Sequence, residues 1–449
     1  MSRRGWKLGS AALVVAVLCG VVTAGLASAK PAGKLVAAAG TLNIYGYGPG
    51  DDVQENRASY AKSKLPNTDI KRPAGDFSDQ AFLTRLASGD VPDLVRMGRP
   101  RVAQYAAKGV LRPLGSCLPK AVRAQYRLGA IKAMTYKGQI YGLPEFTNQI
   151  TLIVNQSAFK DSGVAISAAQ TRDWKQLLAT SKKLTKRNSS GDLTRIGFDP
   201  KIPEFFPLWV KWFGQDIISK NGLKAQLNSK SAIAALTYTV SIINAEGGWN
   251  KFKAFRDTFD FFGRDNPLVK DQLGFWPMES FIYNVFSNNS PNVDLVAKFF
   301  TNRRGGPITM FSGNGWVVPK ASKNPNDACA YMKAVTSVPS WMDAAKKRYD
   351  ARKRSGSTFT GIYTANTLAD KKSYEDIYQS FGKPQFDRAV QLLVAAPKYG
   401  FELPPSPAGQ QVLDAMNAGI NRVLAGQQSP RAALNQAQKE AQKAINDAR

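Results

Sequence analysis

The chain has 449 residues, too many for one ordinary hydrophobic core, so we expect at least two domains. Its composition is that of a folded soluble protein, with 43% hydrophobic and 21% charged residues, but it contains no histidine and only three cysteines. These counts exclude a Ser-His-Asp triad, a Cys-His pair, the histidine-bearing zinc sites and a four-cysteine metal site. We predict neither a metal ion nor a cofactor.

The formal net charge is +28. Such a surplus of Lys and Arg is compatible with an anionic partner, polymer or membrane surface, and equally with adaptation to the surroundings. The densest basic clusters lie at 182–187 and 346–354. Because a run of like charge is more typical of a solvated helix face than of a nucleic-acid patch, we predict no nucleic-acid partner, and we expect a monomer.

Residues 1–29 are predicted to be a signal peptide. Three basic residues within the first seven positions precede an apolar segment at 8–26, and positions 27–29 read A-S-A, an A-x-A cleavage site. An uncleaved membrane anchor is the alternative, because the apolar segment approaches the roughly 20 residues that span a bilayer. The first residues also resemble a twin-arginine signal. We therefore expect an exported protein, in the periplasm, at the cell surface or in the extracellular space.

Export would decide whether the cysteines can form a stable disulfide. If the signal is removed, Cys117 and Cys329 remain in an oxidising compartment, where a disulfide can form and persist. Two isolated buried thiols are the alternative, and the sequence leaves the choice open.

Predicted strands and helices alternate between residues 41 and 108. A strand at 41–45 ends in a glycine-rich turn, and a helix at 79–87 carries apolar residues on one face. A second strand follows at 93–97 and a second helix at 102–108. This alternation indicates an α/β lobe with a parallel sheet.

Further elements are predicted along the rest of the chain. The helix at 174–184 is expected to bury Trp174 and the leucines that follow it on one face. Ser429 caps the last helix, and Pro430 occupies its first position. The predicted elements are a strand at 150–154, helices at 174–184 and 232–244, a strand at 274–276, a strand and turn within 307–318, and helices at 327–336, 410–425 and 430–445.

Loops that follow the predicted strands carry aromatic and small polar residues. In parallel α/β sheets, ligands bind at the carboxyl ends of the strands. A sugar ring has apolar faces that pack on Trp or Tyr, and hydroxyl groups that hydrogen-bond to Asp, Glu, Asn, Arg and backbone groups. These loops therefore predict a carbohydrate site. They lie at 45–47, 97–99, 142–148, 276–280 and 312–316.

Five segments, in this order, resemble the extracellular solute-binding proteins of ABC sugar importers, the family 1 group that includes maltose-binding protein. The resemblance covers most of the chain from about residue 41 onward. The segments are GDVPDLVRMGRPRVAQYAAKGVLRPL (89–114), YKGQIYGLPEFTNQITLIVNQSAFKDSG (136–163), TRDWKQLLATSKKLT (171–185), GNGWVVPKASKNPNDACAYMKAVTS (313–337) and INRVLAGQQSPRAALNQAQKEAQKAI (420–445).

The resemblance implies an α/β fold of the periplasmic-binding-protein type II class. In this fold two α/β lobes are joined by a multi-strand hinge, and the ligand cleft lies between them. The expected N-terminal lobe comprises 30–148 and 305–355. The expected C-terminal lobe comprises 149–304 and 356–449.

The resemblance also implies ligand-binding residues in the cleft, each with an alternative. Glu145 is expected either to contact ligand or to pair with an arginine, and Trp276 either to stack on a sugar or to pack in the core. Trp316 is more typical of packing, and only one of Tyr45 and Tyr47 can face the cleft. The full set of candidates is Tyr45, Tyr47, Met97, Arg99, Glu145, Phe146, Thr147, Asn148, Trp276, Met278, Glu279, Gly313, Asn314 and Trp316.

The function implied is that of a binding protein and not an enzyme. It would capture a sugar or oligosaccharide outside the membrane and deliver it to ABC transporter permease subunits; a separate ATPase would supply energy, since the chain has no G-x-x-x-x-G-K-[ST] loop. One alternative is an acidic or phosphorylated saccharide or a peptide as ligand, favoured by the positive charge and by Arg99, Arg101 and Arg264. Another is a glycoside hydrolase that uses Glu145 and Glu279.

Overall fold

The computed structural model describes residues 40–449, so the predicted signal peptide lies outside the described residues. None of the helices in this part of the chain is both long and apolar enough to cross a membrane. The strands are β1 (Thr41–Tyr45), β2 (Asp69–Lys71), β3 (Leu94–Gly98), β4 (Thr135–Tyr136), β5 (Gln139–Ile140), β6 (Gly142–Pro144), β7 (Asn148–Asn155), β8 (Lys186–Arg187), β9 (Leu193–Phe198), β10 (Leu273–Glu279), β11 (Leu295–Lys298), β12 (Thr309–Ser312), β13 (Asn314–Val317) and β14 (Gly400–Phe401).

The α-helices of the same range surround these strands. They are α1 (Asp52–Ser63), α2 (Asp79–Ser88), α3 (Pro100–Ala107), α4 (Lys120–Arg123), α5 (Leu128–Ala133), α6 (Gln156–Asp161), α7 (Trp174–Leu184), α8 (Phe206–Trp212), α9 (Lys230–Ala245), α10 (Trp249–Arg256), α11 (Phe281–Asn289), α12 (Pro325–Val335), α13 (Val338–Ser355), α14 (Thr367–Lys372), α15 (Pro384–Ala395), α16 (Gly409–Leu424) and α17 (Pro430–Asp447). Short 3-10 segments occur at Ile166–Ala168 and Ala396–Tyr399, and a π-helical segment at Ser373–Ile377.

The first sheet has the strand order β2-β1-β3-β13-β6. β1 pairs in parallel with β2 and β3, since α1 and α2 connect these strands as crossovers. β13 returns from much later in the chain and pairs antiparallel with β3 and β6. Leu42, Ile44, Leu94 and Trp316 lie in the core around this sheet. The parallel α/β arrangement predicted for the start of the chain is confirmed.

The second sheet has the order β14-β12-β7-β10-β9-β8, and β11 also pairs with β7. β10 runs antiparallel to β7, with Trp276 opposite Ile153, and parallel to β9. β10 is buried along nearly its whole length, so side chains from both of its faces pack in the core with Phe198 and Trp209. The two sheets and their helices form the two lobes of the predicted type II fold.

Most predicted elements occur close to their predicted positions, and α7 has the bounds that the sequence predicted. The sequence analysis missed α1 and α13, which pack against each other. Trp174 requires a correction. It was predicted on the buried face of α7, but it is 43% exposed. It occupies the first position of the helix, where its ring packs against Phe213 and Tyr238.

Three segments lie side by side between the two sheets, and we call them together the hinge ribbon (144–148, 312–314 and 363–365). Segment 144–148 is the middle one. Its backbone N–H groups donate to a carbonyl oxygen of 312–314, with an N···O distance of 3.0 Å, and to one of 363–365, with an N···O distance of 3.2 Å. The three segments lie near the predicted lobe boundaries, and these boundaries remain predictions. β12, which those boundaries assign to the first lobe, pairs with β7 of the second sheet.

Glu145 lies buried in the hinge ribbon between two arginines. Its Oε1 accepts a hydrogen bond from Arg57 Nη1 at 2.9 Å, and its Oε2 accepts one from Arg96. Burial alone would raise the pKa of Glu145, but the charges of Arg96 and Arg57 outweigh burial and hold the pKa below its ordinary value. Arg57 also donates to the Val335 carbonyl at 3.0 Å and lies 3.5 Å from the centroid of the Trp341 ring. We call Arg57, Glu145 and Arg96 the hinge triad.

A disulfide joins Cys117 to Cys329, with their Cα atoms 6.2 Å apart and a sequence separation of 212. The sequence left this pairing open. Cys117 lies before α4 and Cys329 within α12, and both regions pack around the first sheet. The disulfide therefore closes the first lobe and does not cross the hinge ribbon.

Glu246 follows α9 and fixes the carboxyl end of β9. The side chain is fully buried, and its Oε1 accepts hydrogen bonds from the Phe198 backbone N–H, at 2.8 Å, and from the Ser181 hydroxyl. Burial raises the pKa of Glu246 from 4.5 to about 8, and the charge of Asp199 adds to the rise. The carboxyl group is therefore protonated in the folded chain at neutral pH.

The variant Glu145→Gln should lower the free energy of unfolding by about 3–5 kcal/mol, because it leaves the buried charges of Arg57 and Arg96 without their shared carboxylate. Denaturant unfolding followed by circular dichroism measures this change. Glu375→Gln is the control, since Glu375 pairs only with Lys371 on an exposed helix surface; its cost should stay below about 1 kcal/mol. Similar costs for the two variants would contradict the structural role of the hinge triad.

Replacing both Cys117 and Cys329 by serine should lower the free energy of unfolding by about 2–4 kcal/mol, because the unfolded chain is then no longer cross-linked. The wild-type protein should lose a similar amount in the presence of a reductant. The double variant should be insensitive to the reductant. Labelling of both thiols in unfolded, unreduced wild-type protein would show that the pair is not formed.

The free energy of unfolding should fall as the pH rises from about 4.5 to about 8, in part because Glu246 ionises in the unfolded chain but stays protonated in the folded one. Its contribution is complete below the unfolded pKa of 4.5 and is lost as the pH rises through the folded pKa. Glu246→Gln should flatten this part of the stability–pH curve, whereas Glu375→Gln should keep the wild-type slope. An unchanged slope in Glu246→Gln would mean that the carboxyl group ionises within the fold.

Candidate functional site

The candidate site is a cleft beside the hinge ribbon, at the carboxyl ends of strands from both sheets. β1 and β3 of the first sheet lead there into α1 and α3. β9 and β10 of the second sheet lead into α8 and α11. This is the place where ligands bind in open α/β sheets.

The first chamber of the cleft has a volume of about 410 Å³. Residues of the first sheet's side, of α11, of α13 and of the hinge ribbon contribute to its wall. Apolar and aromatic surface comes from Phe146, Phe281, Trp341, Ile362 and Tyr363. Hydrogen-bonding groups come from Asp51, Gln54, Arg57, Arg96, Glu145, Asn148, Ser280, Asn284, Arg348 and Thr360.

The second chamber has a volume of about 360 Å³ and lies beside β3, β12 and the start of α16. Phe146 and Asn148 line both chambers, so the two volumes adjoin at the hinge ribbon, and we treat them together as the cleft. Apolar surface comes from Pro207, Met310, Phe311, Leu403, Pro404, Pro405 and Leu413. Hydrogen-bonding groups come from Arg99, Arg101, Asn148, Glu204, Ser312, Asn314, Glu402 and Gln410.

The arginines that line the cleft are each paired with a carboxylate, despite the high net charge of the chain. Arg99 Nε lies 3.3 Å from Glu402 Oε2, and the pair joins the ends of β3 and β14. Burial raises the pKa of Glu402 although the charge of Arg99 opposes the rise. The remaining pairs are Arg57 and Arg96 with Glu145, Arg101 with Asp79, and Arg348 with Asp51 and Asp52.

Several of the predicted ligand-binding residues come together in the cleft. Glu279 lies just behind the lining, where its Oε1 accepts hydrogen bonds from Asn148 Nδ2, at 3.2 Å, and from Ser312 Oγ, at 2.7 Å. Gly313 has a φ of +151°, and a Cβ atom there would lie 2.3 Å from the Phe146 carbonyl oxygen, so a side chain cannot fit. The predicted residues that line a chamber are Arg99, Glu145, Phe146, Asn148, Gly313 and Asn314.

Other predicted residues do not reach the cleft. Trp276 and Met278 lie on β10, whose side chains are buried on both faces, and Trp316 packs edge-on against Tyr47 in the core of the first lobe. Burial raises the pKa of Tyr47 to about 12. Trp276 and Trp316 thus follow the packing alternative that the sequence analysis gave for each, and Tyr47 and Met278 do not line either chamber. The predicted residues outside the lining are Tyr45, Tyr47, Met97, Thr147, Trp276, Met278 and Trp316.

Two of the arginines considered for an acidic ligand differ in position. Arg101 lines the second chamber, where Asp79 pairs with it. Arg264 lies in a separate surface depression beside Asn289 and Asp294. The structure thus offers no unpaired arginine cluster in the described part of the cleft.

The sequence analysis missed several lining residues. Phe281 comes directly after the predicted loop at 276–280, and Trp341 lies on α13, which had been considered only as a charge cluster. Glu402 and Leu403 precede a run of prolines. The sequence feature that could have identified this loop as part of the site is an acidic residue between an aromatic residue and a proline-rich turn.

Comparison with known proteins assigns a family. The family model for bacterial extracellular solute-binding proteins matches residues 66–340, which is more than half of the chain. No curated protein matches the sequence.

Solved structures share the fold. CpMnBP1 with mannobiose bound superposes with a TM-score of 0.71 at 23% identity, over 90% of this chain and 99% of that chain. An ABC substrate-binding protein of Listeria monocytogenes in complex with cycloalternan has a TM-score of 0.72 at 19% identity, over 91% and 99%. The maltose/maltodextrin-binding domain of Bdellovibrio bacteriovorus bound to maltotriose has a TM-score of 0.69 at 17% identity, over 91% and 100%. Together with the family match and the two-lobe architecture, these similarities lead to one conclusion: the chain belongs to the bacterial extracellular solute-binding protein family.

Proposed function

We propose that this chain is the substrate-binding component of an ABC transporter, and that it captures a neutral sugar or oligosaccharide outside the membrane for delivery to the permease. The observation that carries the proposal is the cleft, which combines aromatic walls with many hydrogen-bonding groups. That combination suits the apolar faces and the hydroxyl rim of a sugar. Three structures of the same fold hold mannobiose, cycloalternan and maltotriose.

The pairing of charges supports a neutral ligand. A carboxylate or phosphate ligand gains most from an arginine that has no other partner. The arginines of the cleft already have carboxylate partners, among them the Arg99–Glu402 and Arg348–Asp52 pairs. An anionic ligand would have to displace an existing carboxylate partner, so the positive net charge of the chain does not favour the acidic alternative.

Binding without chemical turnover agrees with the state of Glu145. A glycosidase needs one carboxylic acid that can donate a proton to the leaving group. Glu145 lies between two arginines, and its pKa is held below the ordinary value. It is therefore suited to structure and not to proton transfer, and members of this family are binding proteins.

The proposed cycle is a closure of the two lobes around the ligand. The hinge ribbon lies between the two sheets, so bending there would open and close the cleft. Ligand would shift the population toward the closed form, which would dock on the permease while a separate ATPase supplies energy. Export of the chain by the predicted signal at 1–29 is part of the same proposal.

A thermal-shift screen of the mature protein tests the proposal. The panel contains mannobiose, maltotriose and other neutral saccharides, with uronates and sugar phosphates as the anionic arm. A neutral saccharide at a hundredfold excess over its dissociation constant should add about 2.7 kcal/mol of stability. Recovery of the saccharide unchanged would exclude hydrolysis.

Variants locate the binding site. Phe146→Ala should weaken binding because Phe146 lines both chambers. Leu128→Ala is the control, since Leu128 is an exposed side chain that lines neither chamber. A shift with anionic sugars alone would replace the neutral ligand by the acidic one. The absence of a thermal shift with every saccharide of the panel would contradict a saccharide ligand.

A further inference from the structure

Phe262 is an aromatic side chain that the fold holds in solvent beside the cleft. It is 61% exposed, more than most large apolar side chains of the described chain. Its ring lies parallel to that of Phe281, with the ring planes 6° apart and the centroids separated by 6.2 Å. Phe281 lines the first chamber. One ring of this parallel pair lies in the chamber wall and the other is exposed to solvent, and we call the pair the aromatic surface.

The backbone around Phe262 is fixed on the helix that carries Phe281. Asn289, the last residue of α11, donates its side-chain N–H to the Phe262 carbonyl oxygen at 2.6 Å. Gly263 donates its backbone N–H to Asp260 Oδ1 at 2.8 Å, which closes the turn that presents the ring. Both ends of α11 thus take part in holding the aromatic surface in place.

Exposure of an aromatic ring to water is unfavourable, and the backbone at Phe262 is hydrogen-bonded in a position that leaves the ring exposed. Other exposed aromatic side chains of the described chain lie elsewhere. Trp174 packs against Phe213 and Tyr238, and Tyr399 packs edge-on against Phe299. Neither Trp174 nor Tyr399 lines a chamber. Phe262 is distinguished by its parallel contact with a residue of the cleft wall.

We propose that Phe262 and Phe281 form an outer subsite, in which the apolar face of an additional sugar ring of an oligosaccharide packs on the aromatic surface. This inference rests on the proposed function, because it requires that a saccharide occupies the first chamber. The subsite binds the pyranose ring adjacent to the one in the chamber, and it requires no charged group on the sugar. It sets a preference for longer chains over disaccharides.

Isothermal titration calorimetry with malto- and manno-oligosaccharides of increasing length tests the subsite. The proteins are the wild type, Phe262→Ala, Phe262→Trp and the control Tyr399→Ala. The wild type should gain affinity when the chain becomes long enough to reach Phe262. Phe262→Ala should lose about three- to tenfold of that gain, as expected for one aromatic contact, and keep the affinity for the disaccharide. Phe262→Trp should restore the gain, and Tyr399→Ala should match the wild type.

The outcomes separate this inference from the proposed function. Equal gains with chain length in the wild type and Phe262→Ala would overturn the subsite alone, because binding in the chamber would persist. An equal loss for all chain lengths in Phe262→Ala would also overturn it, since the effect would then be on the chamber or the fold. If the wild type binds no saccharide of either series and none of the thermal-shift panel, the proposed function and the subsite both fail.

Discussion

The carboxylate of Glu145 is the contact on which the arrangement of the site depends. It lies in the middle segment of the hinge ribbon, and it holds Arg57 of α1 and Arg96 of β3 at the carboxyl edge of the first sheet. Two buried arginines without a carboxylate would repel each other and lack hydration. Glu145 compensates one of the two positive charges and hydrogen-bonds to both arginines, beside Phe146 and Asn148 in the wall of the first chamber.

The same compensation of charge recurs where the two lobes meet. Arg99 at the end of β3 reaches Glu402 beyond β14, and its Nη1 also donates to the Phe146 carbonyl oxygen at 2.8 Å. One arginine therefore connects the first sheet, the hinge ribbon and the second sheet. The net charge of the chain and the charge of its cleft are separate properties, because the excess cations lie elsewhere on the molecule.

Sequence patterns predicted the elements better than the site. The alternation of strand and helix between 41 and 108 follows from local periodicity, and the structure confirms it. The direction in which Trp276 points does not follow from periodicity, since β10 is covered on both faces and every position reads as apolar. The partners of Glu145 and Arg99 come from distant parts of the chain, so no local pattern predicts them. Phe281 was missed by a single position.

The disulfide between Cys117 and Cys329 has a consequence for the order of assembly. The first lobe is discontinuous: β13 and α12 enter it only after the whole of β7 to β12 has been made. During synthesis from the amino end, the central strands β7 and β10 of the second sheet are therefore complete before Cys329 is added. The cross-link cannot form until the returning segment has arrived. Formation of the disulfide therefore requires that the returning segment with Cys329 has joined the first lobe in an oxidising compartment.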